Sequence, residues 1–243
     1  MARRLFFVDE VRNQRAEING EEAKHLSKVL RVEPGQKFEI SDNESLYLAE
    51  VEAAHRERVI FQVIDKLPPR FPPVRIVMLI AIIKFDRMEW MLEKATELGV
   101  DTVIPVETAR IEKGLEKAAV SRVERWRKIV LESSQQSRRM RLPIVEQPVK
   151  FSRALQVEGA CRFFLDEAET SRTLLDAVPA ERSPQDRVLV FVGPEGGWTD
   201  AERMHAAAAG WIPVTLGPQI LRAETAAMAA LAVVGAAWLG NAR

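Results

Sequence analysis

Cysteine is nearly absent from this 243-residue chain: Cys161 stands alone, which rules out an internal disulfide and fits a reducing compartment. Histidine is scarce too, with only His25, His55 and His205. No Cys, His and acidic residues recur at metal-ligand spacing, so no metal is expected. Long hydrophobic runs are missing: residues 74–83 and 226–239 are too short or too alanine-rich to span a bilayer. Behind Arg3-Arg4 the apolar run stops at Asp9, so no signal peptide is expected. Net charge is +0, which by itself points away from a polyanionic partner. These absences leave a cytoplasmic globular protein, and the 47% hydrophobic content is enough for a real core.

The charge that is present is unevenly spread. Residues 73–150 carry 15 Lys and Arg against 11 Asp and Glu, whereas residues 1–72 carry 12 against 13 and residues 151–243 carry 8 against 11. Within the basic stretch lies Ser137-Arg138-Arg139-Met140-Arg141, with no acid beside it in sequence. A local patch of this kind can engage phosphates without the whole protein being basic.

Two grammars succeed one another along the chain. Residues 5–8, 37–41, 46–54 and 59–67 read as short strands, and residues 21–30 as one helix with Ala23, Leu26, Val29 and Leu30 at helical spacing. That pattern predicts a small barrel. Leu67-Pro68-Pro69-Arg70-Phe71-Pro72-Pro73 then places four prolines in seven residues, a stiff linker and the expected domain boundary. Beyond it strands and helices alternate: strands at 75–83, 102–106, 162–165, 188–192 and 212–216, helices at 87–98, 117–134, 200–209 and 224–239. The expected fold class is therefore α/β with a mostly parallel sheet over residues 71–243, preceded by a β domain over 1–70.

Two of those strands run into glycine–proline loops, Val192-Gly193-Pro194-Glu195-Gly196-Gly197 and Leu216-Gly217-Pro218. Ligands of open α/β sheets bind beyond the carboxyl ends of strands, and glycines let the backbone come close to them. No lysine with Ser or Thr comes after the first loop, since Trp198 is next, so it is not a phosphate-binding P-loop. Thr199 and Asp200 are expected to cap the next helix, with Glu202 in its first turn. Ile220-Leu221-Arg222-Ala223-Glu224-Thr225-Ala226 adds an arginine and a glutamate at the start of the last helix, which Thr225 would cap. The residues alone indicate a ligand site of unspecified type.

Both loop motifs, with Gln219 between them and the final helix, resemble the paired motifs of the SPOUT methyltransferases. The whole chain resembles the ribosomal RNA small-subunit methyltransferase E family. His25-Leu26-Ser27-Lys28-Val29-Leu30-Arg31 before Pro34-Gly35 resembles its PUA-like barrel, Lys84 with residues 88–100 its first catalytic-domain helix, and Gln135-Gln136-Ser137-Arg138-Arg139 with Pro143 its central basic motif. Arg138 and Gln219 depart mildly from the family pattern.

The resemblance implies a SPOUT-type sheet with a C-terminal trefoil knot and a homodimer formed through it. It also implies S-adenosylmethionine as cofactor, and methylation of uridine N3 in 16S rRNA of the 30S subunit. Leu165, Asp166, Glu167, Val192, Gly193, Pro194, Glu195, Gly196, Gly197, Leu216, Gly217, Pro218, Ile220, Leu221, Thr225 and Ala226 would hold the cofactor. Arg222 and Glu224 are the catalytic candidates, with Glu195 a second acid, because uridine N3 must lose a proton before it becomes a good nucleophile. RNA contact is expected from Lys24, His25, Arg31, Lys84, Arg87, Gln136, Arg138 and Arg139. Two alternatives stay open: a methyltransferase of the same superfamily with another RNA target, and a non-catalytic RNA-binding adaptor.

Overall fold

The computed structural model describes residues 4–167 and 172–240. They form two compact units, Met1–Phe71 with Ser134–Leu142, and Pro72–Ser133 with Pro143–Arg243.

In the first unit, β1 (Leu5–Phe7), β2 (Arg15–Asn19), β3 (Lys37–Ser41), β4 (Leu46–His55) and β5 (Arg58–Leu67) make one curled sheet in the order β1-β3-β4-β5-β2. The alternating burial of β2, with Ala16 and Ile18 inward, was too short a signal to stand out in the sequence. Phe6, Ile40, Val51, Val59 and Phe61 fill the interior. The helix expected at 21–30 is α1 (Gly20–Lys24) continued by a π-helical turn, His25–Val29, which closes with Leu30 N–H donating to the His25 carbonyl at 3.1 Å. That turn buries Leu26 and leaves His25 and Lys28 exposed.

Residues 134–142 also belong to this unit, and their acid partners come from far away in sequence. Glu39, buried on β3, accepts from Arg138 Nε at 3.2 Å and pairs with Arg138 Nη2 and Arg70. Gln135 Nε2 donates to Glu22 at 2.7 Å, and the Ser41 hydroxyl to the Met140 carbonyl at 2.6 Å. The cluster read as lacking an acid is therefore partly neutralised, by a strand nearly a hundred residues away. Burial works to raise the Glu39 carboxyl, but hydrogen bonds from Arg138 and Arg70 hold it below the ordinary carboxylate value.

The second unit is an all-parallel sheet of β6 (Arg75–Ala81), β7 (Thr102–Glu107), β8 (Ile144–Val145), β9 (Val149–Lys150), β10 (Cys161–Leu165), β11 (Arg172–Thr173), β12 (Arg187–Val192) and β13 (Ile212–Thr215). Its order is β11-β13-β10-β12-β6-β7-β8, with β9 also on β7. The helices are α2 (Phe85–Glu97), α3 (Leu115–Ser137), α4 (Phe151–Ala154), α5 (Leu174–Ala177), α6 (Asp200–Ala208) and α7 (Ala223–Leu239). Continuous apolar strands are what burial on both faces requires. On β6, Ile76, Met78 and Ile80 meet α2, α3 and α7, while Val77 and Leu79 meet the opposite layer around Phe164, Phe191, Trp198 and Trp211. Among the described residues no helix is long and apolar enough to cross a membrane.

Candidate active site

Because the strands are parallel, the carboxyl ends of β10, β12 and β13 emerge on one edge of the sheet, and there the chain encloses a cavity of about 680 Å³. Leu165, Asp166 and Glu167 come from the end of β10; Val192, Gly193, Pro194, Glu195 and Gly197 from that of β12; Leu216, Gly217, Pro218, Ile220, Leu221, Arg222 and Ala226 from the stretch after β13. Gly196, Glu224 and Thr225 do not line it. Gly196 turns the other way, toward Arg110, whose Nη1 donates to the Gly196 carbonyl at 2.7 Å. Thr225 lies exposed inside the first turn of α7 and does not cap it; the N-cap is Arg222, and its side chain makes no capping bond.

Several wall residues escaped sequence reading. Trp198 is buried, stacks on Phe164 at 4.3 Å between centroids, and donates from Nε1 to the Leu165 carbonyl at 2.7 Å. It thereby ties the end of β10 to the loop after β12. Val214 and Thr215 also line the cavity, and the strand-end rule extended two residues back would have found them. Thr173 lies beyond a stretch with no distinguishing motif. Gln219 faces the cavity as well.

Glycine is required at two points. A Cβ on Gly193 would stand 2.8 Å from Trp198 Cε2, and Gly217 adopts φ +128, a conformation that side chains disfavour. Gly197, at φ +69, brings the turn against Glu167.

Charge around the cavity is arranged in pairs. Asp166, buried, takes both Arg203 Nε at 2.9 Å and Nη2 at 3.1 Å, a two-point grip that also anchors α6. Arg87, one of the residues expected to meet RNA, pairs with Glu195 through Nη1 and Oε1, and its Nε stands 4.0 Å from Glu224 Oε1. Glu224 is only 8% exposed, and its Oε2 has no hydrogen-bond partner among the described residues. Thr199 caps α6 as expected, in a reciprocal box with Glu202, whose other oxygen accepts from the Ala109 backbone at 2.8 Å.

The residues expected to meet RNA divide by partner. Lys24 is tied to Glu21 at 2.6 Å and Glu57 at 3.5 Å, Arg138 to Glu39, and Arg87 to Glu195. His25, Arg31, Lys84 and Gln136 are exposed. No metal-type group of His, Cys, Asp and Glu occurs among the described residues. Cys161 is half-buried against the core, and burial, with Asp186 nearby, pushes its thiol up, away from the reactive thiolate.

Fold and cavity together define an α/β domain that takes its ligand beyond the carboxyl ends of parallel strands, joined to a small β domain. Residues 70–235 match the family described as RNA methyltransferase domain, and residues 18–64 the RNA methyltransferase PUA domain. The chain is 33% identical to the Ribosomal RNA small subunit methyltransferase E of Mycobacterium tuberculosis, over 97% of its own length and 92% of that protein. It is 30% identical to the Bacillus subtilis protein of the same name, over 89% and 88%. The crystal structure of that methyltransferase from Neisseria gonorrhoeae, bound to S-adenosyl methionine, superposes with a TM-score of 0.87 at 29% identity, covering 97% of this chain and 98% of the other. The chain belongs to the ribosomal RNA small subunit methyltransferase E family of RNA methyltransferases.

Proposed function

We propose that the chain methylates N3 of one uridine in 16S ribosomal RNA, taking the methyl group from S-adenosylmethionine. The observation that carries this reading is the cavity itself. Three strand ends converge on it with glycine backbone where a Cβ would clash, and the Neisseria relative, alike over its whole length, holds S-adenosyl methionine in its crystal structure. The walls suit such a ligand: backbone groups of the two glycine–proline loops for its polar edges, Leu165, Val192 and Leu216 for its apolar faces, and the carboxylates of Asp166 and Glu167 for its cationic centres. Bound there, it supplies an electrophilic methyl on a sulfonium sulfur.

The chain's own residues do the rest. Arg222, on the cavity wall, adds positive charge that favours the uracil anion as it develops. Glu195, on the cavity wall beside Arg87, is the acid open to the N3 proton, with Glu224 buried behind the same arginine. His25, Arg31, Lys84 and Gln136 offer exposed contacts to RNA, and Arg139 is a further basic residue of the central motif. The working form is a cytoplasmic homodimer acting on the 30S subunit, a second copy covering apolar surface such as Ile220, which is 83% exposed.

Calorimetric titration with S-adenosylmethionine, followed by nucleoside mass spectrometry of treated 16S rRNA, tests the reading. Saturable binding and one 3-methyluridine per RNA are expected. Binding of RNA without binding of S-adenosylmethionine would favour an adaptor, and a methyl on ribose would favour another target.

A further inference from the structure

A second, smaller cavity of about 200 Å³ lies on the far side of the loop after β12. Its walls are Ile82, Ile83 and Lys84 after β6, Arg110, Ile111, Glu112 and Leu115 after β7, and Pro194, Glu195 and Gly196. Pro194 and Glu195 are the residues common to both cavities. We infer that this second cavity receives the target uracil and that Glu195, standing on the shared wall, takes its N3 proton. The inference rests on the uridine-N3 reading above and assigns the base site and the proton acceptor within it.

Space and chemistry agree. Most of the surface this cavity exposes is polar, with Ile111 and Leu115 to lie against a planar ring, and the volume suits one pyrimidine. Uracil presents a carbonyl oxygen on either side of N3–H, an acceptor–donor–acceptor edge. The cavity carries groups of the complementary kinds: Lys84 and Arg110 can donate, and Glu195 can accept. Lys84 makes no side-chain bond among the described residues, and Arg110 uses only Nη1, on the Gly196 carbonyl. Glu195 is bonded through Oε1 to Arg87, and its Oε2 has no partner among the described residues. Glu224, by contrast, is buried and reaches neither cavity.

The step balances. The N3–H bond breaks and its proton passes to Glu195 Oε2. The freed N3 electron pair forms the bond to the methyl carbon, the carbon–sulfur bond breaks, and its pair stays on sulfur. Glu195 later returns the proton to water. Arg87, gripping Oε1, is a positioning residue that fixes which oxygen faces the base.

Three measurements on the full chain test this. With 4-thiouridine at the methylated position and no methyl donor, photo-cross-links are expected in the segments 82–84 or 110–115; cross-links confined elsewhere overturn the base site. Glu195→Gln should lower kcat by about 100-fold or more, with the Kd for S-adenosylmethionine changed by less than about threefold. RNA bearing 5-fluorouridine, whose N3–H is more acidic, should recover about tenfold of that loss, which a structural defect would not allow. A Glu195→Gln protein that keeps wild-type kcat, or loses donor binding in parallel, overturns the assignment. A wild-type product methylated at another atom would instead sink the uridine-N3 reading, and shows itself before any variant is made.

Discussion

Gly193 owes its identity to the indole beneath it. Trp198 cannot retreat from an added Cβ without giving up its bond to the Leu165 carbonyl and its stack on Phe164. Gly193→Ala should therefore cost about 1–3 kcal/mol of stability and weaken S-adenosylmethionine binding at least about tenfold by calorimetry. Gly235 is the contrast: it sits inside α7 with nothing within 4 Å of an added Cβ, so Gly235→Ala should stabilise by about 0.5–1 kcal/mol. Glu39 is a residue of a different kind, a buried acid serving two arginines. Its carboxyl is depressed on folding, so its contribution is full above the ordinary carboxylate value and fades as pH falls through the folded one. Glu39→Gln should lose about 2 kcal/mol at pH 7, and the gap from wild type should close under acid, read from urea midpoints across pH.

At the scale of elements, the loop after β12 is held by two anchors near its C-terminal end. Trp198 pins it to β10, and α6 anchors its C-terminal side, through the Thr199–Glu202 box and the Arg203 grip on Asp166. Thr199→Ala should cost about 1 kcal/mol, the usual worth of a cap. Arg203→Met is the harsher change, since it strands a buried carboxylate at the cavity wall; about 3 kcal/mol is expected by urea denaturation. Strands and helices announced themselves in the sequence through periodicity and caps, which are local. Short β8, β9 and β11 did not, because two residues carry no period. The helix at 21–30 was legible as a helix, but its π-helical second half was not.

For the whole molecule, the alternation of strands and helices foretold an α/β domain after the proline segment, while sheet order and the capture of residues 134–142 by the first unit depend on pairings such as Arg138 with Glu39 that no window displays. The cavity loops were readable because strand, glycine and proline are adjacent in sequence; Arg110, which shares a wall with Glu195, was not, because only folding brings them together. Ligand linkage gives a global test of occupancy: S-adenosylmethionine at 100 times its Kd should stabilise the protein by about 2.7 kcal/mol, visible as a raised Tm. Primer extension on 16S rRNA reads methylation of one uridine at N3, because a methyl on N3 blocks Watson–Crick pairing and halts reverse transcriptase. RNA from cells lacking this protein should lose one stop, which returns with the wild-type chain and stays absent with Gly193→Ala or Glu195→Gln. If every stop persists in the deletion strain, the chain does not methylate uridine N3 of this RNA.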